Sequence, residues 1–355
     1  MSTIAQILKD NRLQRDLKLT DVSTSLKIDN ALVSKIERGD RFATKIQIDA
    51  FIEFYNLDKR ATITKWLSEK ILDELKYEEN PLDVLYAAEE QIKYLTENKD
   101  NIRIDGELKA LLEKIDLLKQ KYQALRPLDG TRLRKMQEHF NINYTFESNK
   151  IEGNTLTLQE TYLVINEGLT INGKTMHEHL EAINHYDAID FIADLVKKKE
   201  PLTERILKEI HYLILKGIDR KNAGVYRNVQ VMIGGSTHRP PEHFLVPKKM
   251  EEIFEFYEKN KDKIHPVVLA AEMHEKIVTV HPFVDGNGRT CRLIMNLILM
   301  MNGYTTANIK GDNTSRKLYY NALDSARTNG SLTAFHLLVS QAALESLKEH
   351  YELAK

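Results

Sequence analysis

His281-Pro-Phe-Val-Asp-Gly-Asn-Gly-Arg-Thr-Cys-Arg292 gathers an imidazole, a carboxylate, an amide between two glycines and two guanidiniums into one short stretch. Gly286 and Gly288 let the backbone turn tightly enough for its N–H groups to face an anion. A helix predicted to begin directly after them adds the positive end of its dipole. Arg289 and Arg292 lie three residues apart, hence on one side of that helix, where both can reach a polyphosphate held at its start. Asp285 is a candidate ligand for Mg²⁺ on the same phosphates, and His281 a candidate proton acceptor. Eight specified positions at about 5% usage each would coincide by chance on the order of once in 10⁸ chains of this length.

The pattern H-x-F-x-D-G-N-G-R-x-x-R resembles the signature of the Fic family, enzymes that transfer a nucleotide fragment onto protein hydroxyls. The resemblance implies a mainly α fold, a Fic-type helical bundle with a small β-hairpin flap, and the chemistry of a protein adenylyltransferase. In that reading His281, with an ordinary pKa of ~6.5, takes the proton of a Ser, Thr or Tyr hydroxyl on a target protein. The hydroxyl attacks the α-phosphate of ATP. Gly286, Asn287 and Gly288 surround that phosphate, Asp285 holds Mg²⁺, and Arg289 and Arg292 stabilise the departing pyrophosphate. Phe283 points inward and anchors the loop.

Upstream, Ser148-x-x-x-Glu152-Gly153 lies within Thr145-Phe-Glu-Ser-Asn-Lys-Ile-Glu-Gly-Asn154 and resembles the inhibitory-helix motif of many Fic proteins. The resemblance places an inhibitory helix at about 142–153, with Gly153 and Asn154 as its C-terminal cap. It pairs Glu152 with Arg292, where the carboxylate takes ground that the terminal phosphate needs, and has Ser148 orient Glu152 by a hydrogen bond. In relatives of this class the same glutamate helps water remove the added nucleotide, so deAMPylation is a second expected activity.

Downstream, Val229, Val231 and Ile233 alternate with Gln230 and Met232 ahead of Gly234-Gly235, the pattern of a short hairpin. It resembles the family's flap, whose edge pairs with an extended stretch of the target. Arg316-Lys-Leu-Tyr-Tyr-Asn-Ala-Leu323 resembles the helix beside the nucleoside, which makes Tyr319 and Tyr320 candidates for adenine or ribose contacts. His177, Glu181 and His185 fall four apart on one helix face, but no second ligand pair accompanies them, so a hydrated face is the expectation rather than a metal site. His238 and His243 read as surface residues, and Cys291 as a buried packing thiol.

Residues 1–58 read as a small helical domain. LTDVSTSLKIDNALVSKIERGDR resembles the helix-turn-helix of phage-repressor-type regulators, with its second helix starting at Thr20. The resemblance turns Asn30, Ala31, Ser34 and Lys35 toward bases and sets Arg38 and Arg41 near the DNA backbone. Lys27 stands where a glycine is usual, and residues 1–60 carry 11 basic against 9 acidic groups, so protein docking or dimerisation is the alternative role. Residues 59–126 read as a charged helical connector, with Leu67, Ile71 and Leu75 as one stripe and Leu108, Leu111, Ile115, Leu118 and Tyr122 as another. Pro127-Leu-Asp-Gly130 marks the boundary before a Fic domain at 127–355.

The chain has 355 residues, 42% hydrophobic and 29% charged, enough for two cores. A net charge of −1 gives no global basic field, so any DNA contact must come from a local patch. One cysteine excludes an internal disulfide and fits a reducing, cytoplasmic setting. The N-terminus lacks a signal peptide's apolar core, and the apolar run near 293–301 is too short to span a bilayer. The expected partners are ATP, an unidentified target protein, DNA and a second copy in a homodimer. Two rival functions stand beside adenylyl transfer. One is a DNA-binding transcriptional regulator with a nucleotide-sensing Fic-like domain. The other is the kinase chemistry of relatives that depart from Gly-Asn-Gly-Arg, which this chain keeps.

Overall fold

The computed structural model describes residues 3–86, 88–89, 104, 106–125, 130–234, 236 and 238–355. The chain divides into two compact units, Met1–Leu95 and Thr96–Lys355.

The first unit is built on capped helices α1 (Ile4–Gln14), α2 (Leu19–Leu26), α3 (Asn30–Arg38), α4 (Lys45–Tyr55) and α5 (Lys59–Leu75). Their apolar faces meet in a core of Leu8, Val22, Val33, Ile48 and Phe51. A buried pair, Arg12 with Glu37 at 2.9 Å, ties α1 to α3. The α2–α3 turn puts Lys27 in the left-handed region at φ 53°, which explains why glycine is the easier residue there. Asp29 then caps α3 by accepting from the N–H groups of Ala31 and Leu32. Helix α2 starts at Leu19, one residue before the expected Thr20, and the Asp21 carboxylate accepts from the Lys18 N–H at 2.8 Å.

The stretch expected as a connector is divided between the units. Trp66 of α5 is buried in the first core and donates its indole N–H to the Ala43 carbonyl at 3.0 Å. Leu67 and Ile71 lie on the exposed side of that helix, so the buried face runs through Thr62 and Trp66. Helix α6 (Gly106–Ala124) instead buries Leu108, Leu112, Ile115 and Tyr122 in the second core. Of the expected boundary, residues 127–129 lie outside the described residues.

The second unit continues with α7 (Gly130–Ile151), α8 (Leu158–Asn166), α9 (Met176–Lys198), α10 (Glu204–Leu215), α11 (Val246–Asn260), α12 (Pro266–Val280), α13 (Asn287–Met301), α14 (Asn313–Asn329) and α15 (Thr333–Ala354). Helix α13 sits at the centre, packed on α7, α9, α10 and α12. Leu293 to Leu299 have no exposed surface, as an all-round apolar sequence requires. Asn296 interrupts that run because both ends of its amide serve Ala307, accepting from its N–H at 2.8 Å and donating to its carbonyl at 3.1 Å. The segment leading to Gly311 thereby lies against α7, so closely that a Cβ on Gly311 would stand 2.8 Å from the Glu147 carbonyl oxygen.

Among the described residues no strand is present, and residues 229–233 run from a bend at Val229 without a β-ladder. The hairpin expected there is not confirmed, and the local bonding weighs against it. The Val229 carbonyl accepts from the Arg227 guanidinium, and the Gln230 amide donates to the Pro240 carbonyl, so side chains take bonds that a partner strand would otherwise supply. Residues 235 and 237 of the turn lie outside the described residues. No described helix is long and apolar enough to cross a membrane.

Candidate active site

The loop from His281 to Gly286 joins the end of α12 to the start of α13, and two left-handed residues shape it. His281 ends α12 at φ 51°, and Gly286 precedes α13 at φ 74°. A side chain at Gly286 would press on His211 and Ile214 at 3.3 Å. Phe283 is fully buried and stacks on His211, with ring centroids 3.6 Å apart. His211 Nδ1 accepts from the Gly224 N–H, so its proton sits on Nε2 and is donated to the Asp285 carbonyl at 2.9 Å. Burial pushes the pKa of His211 down to about 4, which keeps that tautomer neutral.

Asn287 was expected to face phosphate, but its side chain turns inward. It accepts from the Phe283 N–H at 3.0 Å and donates to the Phe283 carbonyl at 2.9 Å, closing the loop on itself. Its backbone N–H remains one of those at the open start of α13.

His281 is half-buried, and its Nδ1 lies 3.3 Å from the Val278 carbonyl. A carbonyl can only accept, so Nδ1 carries the proton and Nε2 is left as an acceptor. Burial pushes this imidazole down to about 4, against the ordinary value expected from the sequence. The backbone behind it is gripped by Arg227. That guanidinium, 3% exposed, donates to the carbonyls of His281 (2.8 Å), Val229 (3.1 Å), Pro241 (2.5 Å) and Val280 (3.4 Å). One side chain thus ties both ends of the expected flap to the loop.

The two arginines of the motif share a face of α13, as their spacing requires. Arg292 is 1% exposed and makes four polar contacts. Nη2 donates to Glu152 Oε1 at 2.7 Å and to the Ser148 carbonyl at 2.9 Å, Nε to the Ser148 hydroxyl at 3.0 Å, and Nη1 to the Tyr319 hydroxyl at 3.4 Å. Burial by itself would lower its pKa, but the charge and hydrogen bond of Glu152 act together with Tyr319 and Tyr144 to raise it. A Cβ on Gly288 would collide with the Glu152 carboxylate, so this anion rests directly on the first turn of α13. Helix α7, longer than the 142–153 expected, ends through Gly153 (φ 100°) and Asn154, as foreseen. Ser148 serves Arg292 instead of Glu152, both of its oxygens being engaged by that guanidinium.

Arg289, also buried, donates to Glu181 Oε1 at 2.6 Å and stands 3.5 Å from Asp285. The His177–Glu181–His185 face is therefore no hydrated surface. His177 is exposed, Glu181 is paired inside, and His185 is fully buried against Tyr144 and Thr145. Asp285 is 60% exposed, and no group of three or more possible metal ligands occurs among the described residues. Tyr319, expected at the nucleoside, is 1% exposed and committed to Arg292 and His274, whereas Tyr320 is 39% exposed at the rim. Cys291 is buried, which raises its pKa. His238 is held at the Thr279 carbonyl rather than lying free on the surface. His211 and Arg227 escaped the sequence analysis, and Glu181 entered it only as part of a hydrated face.

Residues 201–299 match the Fic/DOC family. The chain carries a Fic fold. The protein adenylyltransferase Fic of Nematostella vectensis is 33% identical over 264 residues, 74% of this chain and 59% of that protein. The protein of the same name from Drosophila grimshawi is 34% identical over 244 residues, 68% of this chain and 48% of that protein. The chain therefore spans about half the length of these curated relatives. A Fic domain containing signaling protein from Bacteroides thetaiotaomicron superposes with a TM-score of 0.62 at 28% identity, over 68% of this chain and 96% of that one. Fic-1 of C. elegans gives a TM-score of 0.63 at 24% identity, over 99% and 98% of the two chains, a likeness of fold.

Proposed function

We propose that this protein is a protein adenylyltransferase restrained by Glu152. The observation that carries the reading is the Glu152 carboxylate resting at the start of α13, on Arg292 and beside Gly288. An anion already sits where the helix start and the arginine favour phosphate. It competes with the terminal phosphate of ATP and leaves a bound nucleotide in a poor geometry for transfer. When Glu152 withdraws, Ser148 and Tyr319 still hold Arg292.

In the transfer step a target Ser, Thr or Tyr hydroxyl gives its proton to His281 Nε2 as its oxygen bonds to the α-phosphorus. The bond from that phosphorus to the α–β bridging oxygen breaks, and pyrophosphate leaves with its charge met by Arg289 and Arg292. The N–H groups of Asn287 and Gly288 face the α-phosphate. Asp285, exposed and loosely tied, fits one Mg²⁺ ligand, the rest coming from phosphate and water, and the ion would neutralise developing charge. Tyr320 at the rim remains the candidate for the nucleoside, and the stretch from Val229 to Ile233, with Met232 88% exposed, for the target backbone. Glu152 acting as base for water would give deAMPylation.

The first unit supports a DNA-binding role, since Asn30, Ala31 and Lys35 are exposed along α3 while Val33 and Ile36 face the core. Incubation with Mg²⁺ and labelled ATP tests the enzyme reading. Glu152→Gly should label protein and release pyrophosphate faster than the parent, and His281→Ala in that background should do neither. Sequence-specific DNA binding with no labelling by any variant would favour a nucleotide-sensing regulator.

A further inference from the structure

Arg289 and the inhibitory segment meet on one carboxylate. Glu181 Oε1 accepts from Arg289 at 2.6 Å, and Glu181 Oε2 accepts from Asn154 Nδ2 at 2.9 Å. Asn154 lies two residues past Glu152, in the cap that ends α7. Its N–H donates to the Asn149 carbonyl at 3.1 Å and its Oδ1 accepts from the Leu156 N–H at 3.0 Å, which fixes Nδ2 as the group facing Glu181. The start of α9 grips the same segment elsewhere. Asn149 Nδ2 donates to the Glu181 carbonyl at 3.2 Å, and the Thr155 N–H donates to the Glu178 carboxylate at 3.0 Å. Removing either partner of a buried, hydrogen-bonded charge pair leaves the other poorly satisfied, so these bonds constrain both ends.

We propose that Glu181 is a positioning residue with two opposed effects on transfer, an inference that rests on the reading of Glu152 as inhibitor. Through Oε1 it orients Arg289 for the polyphosphate and favours the reaction. Through Oε2 and Asn154 it fixes the segment that carries Glu152 and opposes the reaction.

The effects separate when initial rates of transfer are measured in the parent and Glu152→Gly backgrounds. Asn154→Ala touches the segment side and should raise transfer severalfold in the parent, with no change once Glu152 is gone. Glu181→Ala in the Glu152→Gly background should lower kcat by about tenfold or more, the scale of a hydrogen bond to a charged group. In the parent the same substitution should cost less or raise the rate, because release of Glu152 offsets it. Glu181→Gln keeps an acceptor for Arg289 but sets an NH₂ against that of Asn154, and should copy Asn154→Ala in both backgrounds. Equal losses for Glu181→Ala in both backgrounds would mark a purely structural role and overturn the inference. So would an unchanged rate for Asn154→Ala in the parent when Glu152→Gly is clearly faster. A Glu152→Gly variant no faster than the parent would overturn the inhibitory reading, and this inference with it.

Discussion

The imidazole of His281 is neutral because burial makes its charged form costly, and this sets the pH range in which it can accept a proton. A group titrating near 4 is fully basic above that value and loses the role as pH falls through it. For the Glu152→Gly variant, kcat/KM should therefore stay level from about pH 8 to about pH 5.5 and fall below that. A decline beginning near 6.5 would mean that the free side chain's ordinary titration survives in the fold. Replacing His281 by Ala should cost about 10²- to 10⁴-fold in transfer with little change in melting temperature. His281 was legible as a candidate proton acceptor because residue type and spacing mark it. His211 and Arg227 were not legible, since their partners are backbone carbonyls 74 and 54 residues away, which no local pattern encodes. Tyr319 and Tyr320 show the limit again. Neighbours on a helix point about 100° apart, and the sequence could not say which one faced the interior.

At the scale of elements, helix α7 and its cap form a seat that delivers Glu152 to Arg292. Gly311→Ala would set a Cβ against the backbone of α7 at Glu147 and against the Lys150 side chain. Such overpacking should destabilise the protein by about 1–3 kcal/mol, read as a lower unfolding midpoint, and should raise transfer by loosening the seat. Lower stability with unchanged transfer would separate this contact from inhibition. The seat was readable in outline because a serine, a glutamate and a glycine mark its last turn. What Ser148 bonds to was not, because Arg292 approaches from 144 residues away and takes both of its oxygens. In the flap, alternating apolar residues predict a strand, but a hairpin also needs free backbone carbonyls, and the side chains of Arg227 and Gln230 occupy those of Val229 and Pro240.

Across the whole molecule, the two units have separate cores, and each function is assigned to its own unit. If α3 meets DNA, Arg38→Ala should weaken binding similarly on all sequences and reduce the slope of log K against log salt by about 1. A shift in sequence preference would instead make Arg38 a base contact, and no DNA retention at low salt would leave the unit to protein docking. The stretch at 59–126 looked uniform in charge and helical period, so the sequence did not show that α5 and α6 belong to different cores. The deciding residues, Trp66 in one and Ile115 in the other, gain meaning only once their cores exist. The central claim is that the loop of residues 281–292 passes AMP, not a terminal phosphate, to a protein hydroxyl. Parallel incubations of the Glu152→Gly variant with Mg²⁺ and ATP labelled at either the α- or the γ-phosphate test it most directly. Label should enter protein from the α position with one pyrophosphate released per group transferred, whereas label entering from the γ position, or from neither, would contradict it.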